Sequence, residues 1–451
     1  MFDILIVGIS YPDYQKKQLV YANIGIKEGK IEYIGQAEPT AKKVILAEGK
    51  ILSPGFIDIH THEEDFKLEN DYCIGQKMLE MGVTTILGGN CGKISQSFSD
   101  VKDFIASRGG SPVYYAMSSG YNTYRARYVG NDEPPSKIAR SKIEQEIIRD
   151  LNEGAFGLSF GIEYQPNMTT EEILFACSLL ENSNLIASAH YRKDGDKCIE
   201  SIEEMFYISK NIDAKFQISH LSSCSACGYM KESLDMIEKE MKINSKLNYD
   251  TYPYDAFSTR IGSAVYDGDF TSWLKIDYSD VMLTEEPYKN QRCTKELFYK
   301  ARKENPNFRT ICFAMDPQEI SLAISDKNGM YASDGGLTKG NGHPRAVHTF
   351  PRILGKYVRE EKVISLIDAL LKMTKIPADR LGLKFKGEIK IGNDADLVIF
   401  DKDKIGAKEE WSDFSMPEGI NYVIVNGKIA MDNKRIVNNR LGGFVEFNKK
   451  L

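Results

Sequence analysis

The sequence predicts an α/β fold: a (β/α)8 TIM-like barrel carrying a small β-sandwich domain formed from both chain termini. Three observations lead there. Eight short apolar runs recur between about residues 55 and 335, most of them separated by a helical pattern. Near-continuous apolar strands alternating with helices read as parallel strands buried on both faces, and eight such units suit a closed barrel. Both chain ends, in contrast, are strand-rich and lack helical periodicity.

Residues 1–54 supply the first part of the small domain. DILIVG, NIGIKEGKIEYIG with a turn at Glu28-Gly29, and KKVILAEGKILS alternate as strands do and are punctuated by turn residues. Residues 55–386 supply the barrel. Its strands are expected in FIDIH, VTTILGG, PVYYAM, AFGLSFG, LIASAH, FQISH, KLNYDTYPY and GMYASDGG, with helices around Ile74 to Met81 and in SKIEQEIIRDLNEG. The long gap before the eighth strand predicts an insertion at about 265–328. Residues 387–451 return to strand character in GEIKIGNDADLVIFD and NYVIVNGKIAMDN, where Asn426-Gly427 is a hairpin signal.

Composition narrows the function classes. Hydrophobic residues make up 42% and charged residues 27%, with a net charge of −6 and both signs interspersed. That balance points away from nucleic-acid and anionic-membrane partners. No apolar run reaches the roughly 18 residues of a membrane span. The N-terminal MFDILIVGISYPDYQKK lacks the order of a secretory signal. Eight scattered cysteines read as free thiols in a reducing cytoplasm.

In a barrel, chemistry sits at the C-terminal ends of the strands. His60 and His62 close the first strand, two apart and therefore on one face. Cys91 follows the second strand in GGNCGKIS, His190 ends the fifth, His220 ends the sixth, and Asp334 follows the eighth. Four of the six histidines thus stand where a site would be built. Imidazole, thiolate and carboxylate are the ligand set of a borderline-soft divalent ion such as Zn²⁺.

These motifs carry a resemblance. SPGFIDIHTHEED, TTILGGNCG, ISHL, DTYPYDA, ASDGG, HPRAVHTFPRILGKYVRE, KMTKIPADRLGL and GEIKIGNDADLVIFD occur in this order across essentially the whole chain. Together they resemble the N-acyl-D-amino-acid deacylases, or D-aminoacylases, of the amidohydrolase superfamily. The resemblance implies a zinc enzyme that hydrolyses the acyl amide of N-acyl-D-amino acids, small-molecule substrates. It implies one tight zinc site made by Cys91, His190 and His220, and a second, weaker position bordered by His60, His62 and Asp334. Asp334 would be the catalytic acid/base, taking a proton from water and passing it to the leaving nitrogen.

The substrate's α-carboxylate calls for a planar cation, and Arg345 in GHPRAVH is the first choice. Tyr252 and Tyr254 follow the seventh strand and could add hydrogen bonds. Arg192 and Arg260 are further candidates, His343 could shape the pocket, and His348 reads as structural. Ser222 departs from the family, whose close members carry a lysine there to help seat the carboxylate. Cys224 and Cys227 read as free thiols. Two alternatives remain at this level: a cyclic-amide hydrolase of hydantoinase or dihydroorotase type, and a non-catalytic metal-binding barrel. The first usually needs a barrel lysine, which AFGLSFG does not offer; the second would be expected to have lost ligands that are all present.

Overall fold

The computed structural model describes every residue except 63–65, 67–70, 131–133, 182, 339, 409 and 448–451. Part of the HTHEED motif and the last four residues of the expected 387–451 segment therefore lie outside the described residues. The chain is α/β. Its central strands are β1 (Phe56–Asp58), β2 (Val83–Gly88), β3 (Tyr114–Met117), β4 (Gly157–Gly161), β5 (Ile186–His190), β6 (Lys215–Ile218), β7 (Leu247–Thr251) and β8 (Met330–Tyr331). Seven fall inside one of the eight apolar runs, and β6 begins one residue ahead of FQISH, at Lys215.

All pairings among these strands are parallel. β1, β2 and β3 form one ladder; Ser119–Gly120, directly after β3, begins a second that continues through β4 to β8 in order. The Phe156 amide donates to the Met117 carbonyl at 2.9 Å, joining the ladders. On the far side the Asp334 amide donates to the His60 carbonyl, and the His62 amide to that of Gly335, both at 2.8 Å. All six residues of β2 are buried, which is why these strands read as unbroken apolar runs.

The helices pack their apolar stripes on the strands. The helix Lys137–Asn152 begins where the Ser136 side chain accepts the Ala139 amide, and buries Ile143, Ile147 and Leu151 at four-residue spacing. After β7 a four-stranded antiparallel sheet branches off: Phe257–Arg260 pairs Arg309–Cys312, which pairs Val281–Leu283, which pairs Gln291–Arg292. This sheet starts earlier than the insertion expected at 265, because its first strand follows the YPY motif almost directly.

The two termini meet in one nine-stranded sheet. Its junction is antiparallel pairing of Ile51–Pro54 with Leu397–Phe400. Two reversals sit side by side there. Glu28 and Gly29 have φ of 50° and 81°, and Asn426 and Gly427 have 51° and 68°, the two positive angles of a tight hairpin turn. A Cβ on Gly427 would lie 2.6 Å from the Gly29 Cα, so both turns need glycine to stack.

Candidate metal centre

The strand ends bring the predicted ligands together. Cys91 Sγ lies 3.4 Å from His60 Nε2 and 3.4 Å from His220 Nε2. His190 Nδ1 lies 3.0 Å from His220 Nε2. Asp334 Oδ1 is 3.1 Å from His62 Nε2 and 3.5 Å from His60 Nε2. Two ligand groups result: Cys91, His190 and His220; and His60, His62, Cys91 and Asp334, the atoms of each within 4.8 Å of one another. Except for His62, all these side chains are buried.

Three of them, Cys91, His220 and Asp334, have left-handed backbone, with φ of 51°, 33° and 49°. Non-glycine residues avoid this region, and such strain persists only where surrounding structure enforces it. Here it turns the side chain that follows β2, β6 or β8 back into the mouth.

The outward nitrogen of each buried histidine is held. His60 Nδ1 faces Asp250 Oδ1 at 3.4 Å, His190 Nε2 faces Glu163 Oε2 at 2.9 Å, and His220 Nδ1 faces Ser223 Oγ at 2.9 Å. That leaves the other ring nitrogen of each for the interior, the arrangement typical of metal-ligating histidines. Asp250 also accepts the His220 amide at 2.8 Å, tying two ligands to one carboxylate. The donor set and its supports fit a Zn²⁺ ion.

The electrostatics agree. Burial opposes ionisation of Cys91, yet His60 and His220 hold its thiol well below the ordinary range. Burial works against charged His60, but the Cys91 and Asp250 charges raise it well above the usual value. Burial likewise works against charged His190, which its bonds to Cys91 and Glu163 raise. Against the burial that would raise it, Arg345 chiefly keeps the Asp334 carboxyl low. A thiolate amid protonated imidazoles is a site whose protons a cation can replace.

Arg345 Nη2 sits 2.8 Å from Asp334 Oδ2, with the guanidinium 4.7 Å over the Tyr252 ring. Its Nε and Nη1 are buried with no hydrogen-bond partner among the described residues. His343 is bonded at both nitrogens: Nδ1 accepts the Arg345 amide at 3.0 Å and Nε2 faces the Ala256 carbonyl at 3.1 Å. It therefore positions Arg345. Tyr254 packs against His343 and Trp411.

Arg192 is not brought into the site. Its Nε and Nη2 hold Glu204 at 2.8 and 2.6 Å, and Nη1 holds the Pro166 carbonyl. Ser222 Oγ is turned to the Tyr252 backbone. His348 contacts the Ser415 carbonyl. All eight cysteines, Cys224 and Cys227 included, are free.

Four contributors were missing from the sequence reading: Glu163, Tyr164, Asp194 and Asp250. The Tyr164 hydroxyl lies 3.3 Å from His190 Nδ1. Asp194 Oδ1 stands 3.7 Å from His190 Nε2, its carboxyl pushed up to about 8 by burial and Glu163. The strand-end rule extended past β4 into IEYQP would have found the first two.

Known proteins agree with this geometry. Residues 317–430 match the amidohydrolase family. A D-aminoacylase of Alcaligenes xylosoxydans xylosoxydans is 29% identical over 469 aligned residues, covering 94% of each chain. A D-aminoacylase structure, described as having a binuclear centre with one-metal activation and second-metal attenuation, superposes with a TM-score of 0.88. It is 26% identical and covers 99% of this chain and 100% of that one. The fold is also that of an N-acyl-D-glutamate deacylase from Bordetella bronchiseptica complexed with zinc and a phosphonate mimic of the tetrahedral intermediate. Their TM-score is 0.87 at 24% identity, over 99% of both chains.

These likenesses make the chain a metal-dependent amidohydrolase. Over nearly its whole length the chain is similar to the D-aminoacylases, or N-acyl-D-amino-acid deacylases.

Proposed function

We propose that this protein is a zinc-dependent hydrolase that splits the acyl amide of N-acyl-D-amino acids into a carboxylate and a free D-amino acid. The observation that carries this is Asp334. It is held between Arg345 and the imidazoles of His60 and His62, directly beside the Cys91–His190–His220 group.

Cys91, His190 and His220 would hold the tight ion, with His60, His62 and Asp334 bordering the weaker position. Bound zinc supplies Lewis acidity and lowers the pKa of its water towards ~7. The chain's own residues do the rest. Asp334, kept ionised chiefly by Arg345, takes a proton from the attacking water on Oδ1 and delivers it to the leaving nitrogen, which departs poorly unless protonated. The Arg345 bond to Oδ2 fixes that carboxylate's direction. Arg345 Nε and Nη1 receive the substrate's α-carboxylate. Tyr252 stacks beneath the guanidinium, and His343 and Tyr254 keep it in place.

The same reading makes residues 55–386 one closed (β/α)8 barrel and residues 1–54 with 387–451 a β-sandwich. Bridging hydrogen bonds from β8 to β1 support closure. Ile6, Ile24, Ile45 and Leu397, from strands of both termini, share one apolar cluster, as two facing layers require. Free cysteines throughout support a cytoplasmic location.

The test is release of free amine from paired N-acetyl-D- and N-acetyl-L-amino acids by protein of measured zinc content. D-selective release is expected. Reaction of the L series alone, or of hydantoins and dihydropyrimidines instead, would overturn the assignment. β4 carries no lysine, so the cyclic-amide outcome is not the expected one.

A further inference from the structure

A second cavity adjoins the metal pocket. Tyr164 and Thr259 line both, and beyond them opens a space of about 450 Å³. Lys93 and Arg260 line it, and among the described residues no carboxylate does. Lys93 lies deep within the outline of the protein, yet its side chain stays open to water because it faces this cavity. Its Nζ sits 4.5 Å over the Tyr164 ring, whose hydroxyl lies 3.3 Å from His190 Nδ1.

Arg260 donates from Nη1 to Asn307 Oδ1 at 3.0 Å. Arg309 is close enough that its charge bears on Lys93 and that it feels the charges of both Arg260 and Arg345. Arg309 Nε donates to Thr338 at 3.0 Å. Among the described residues, none of the three cations forms an ion pair. The opposite charges that reach them, Cys91 for Lys93 and Glu285 and Asp334 for Arg309, form no ion pair with them, so like charge is still gathered here and an anionic ligand relieves it. Among the remaining lining, Ser263, whose Oγ accepts the Val265 amide, adds a hydroxyl donor.

The α-carboxylate already has its seat on the open nitrogens of Arg345. Building on the deacylase reading, we propose that the cavity bounded by Lys93, Arg260 and nearby Arg309 binds a second carboxylate, making this enzyme selective for dianionic N-acyl-D-amino acids. That carboxylate belongs either to the amino-acid side chain or to the acyl group. Both present the same anion to the same cations, at opposite ends of the amide.

Two measurements separate this from the reading it rests on. Turnover by zinc-loaded enzyme is compared for N-acetyl-D-glutamate against N-acetyl-D-glutamine, and for N-succinyl-D-leucine against N-acetyl-D-leucine. Binding of the same four compounds to the Asp334→Asn variant is measured calorimetrically. One dianion is expected to exceed its monoanionic counterpart about tenfold or more, in both kcat/KM and affinity. The pair that shows the margin tells which end carries the second charge. Arg260→Gln and Lys93→Met should each shrink that margin severalfold, with Arg260→Lys restoring part of it.

Monoanionic compounds bound as tightly as both dianions, or a margin untouched by both substitutions, would overturn the proposal. Absence of hydrolysis for all four would instead sink the deacylase reading. The binding comparison would still judge the anion seat.

Discussion

The mouth formed by the central strand ends and the terminal sheet are both strand-built, and both contain residues with left-handed backbone, but for opposite reasons. In the terminal sheet those residues lie in reversals such as Glu28-Gly29 and Asn426-Gly427. Around them the strands form an apolar ladder of isoleucines and leucines. At the mouth they are Cys91, His220 and Asp334, each just past a strand and each buried. One region uses the conformation to reverse the chain, the other to aim ionisable groups into a common space. The first serves the chain's path and the second gathers chemistry.

Substitutions should therefore separate the two regions. The largest effect is expected from Asp334→Asn: kcat falls about 10²- to 10⁴-fold while zinc content is retained. Equal loss of zinc would mean that Asp334 acts through the metal. Next comes Ile24→Ala in the terminal sheet, where a fully buried side chain leaves a hole. Unfolding should cost about 2–5 kcal/mol less, read by denaturant titration, with kcat/KM unchanged. A parallel drop in kcat/KM would show the regions to be coupled.

Arg345→Met should lower kcat/KM by about 10- to 100-fold, the worth of hydrogen bonds to a charged group. It should also move the acid limb of the pH–rate profile to higher pH, because Arg345 is the largest influence lowering the Asp334 carboxyl. An unmoved limb would assign that limb elsewhere. The smallest change expected is that of Glu163→Gln. It releases the His190 ring and should weaken zinc about 10- to 100-fold in competition with a chelator.

The strand order and the gathering of the candidate ligands were legible because they obey local rules. Buried parallel strands appear as apolar runs, and a ligand just past a run needs no knowledge of the remainder of the fold. Asp250 was not legible as the partner of His60, since that contact depends on closing β7 against β1 across the mouth. Arg192 was misleading for a related reason. Its position two residues past His190 suggested the pocket, but Glu204 on the helix Cys198–Lys210 draws it away. Tyr252 and Tyr254 follow β7 as expected, yet they support Arg345 and His343 from behind. β7 ends at Thr251, before Pro253, so strand alternation no longer says where they point.

The pairing of Ile51–Pro54 with Leu397–Phe400 has a consequence for synthesis. A ribosome adds about 5–20 residues per second, so this N-terminal edge emerges on the order of 20–70 s before its partner exists. Throughout that interval it exposes unpaired backbone on a strand with four buried-type positions, a template for wrong association. The nascent chain thus has a defined period of vulnerability, which ends only when the last strands arrive. Expression at lower temperature or with a holding chaperone should raise the soluble yield for that reason, whatever the finished enzyme's stability.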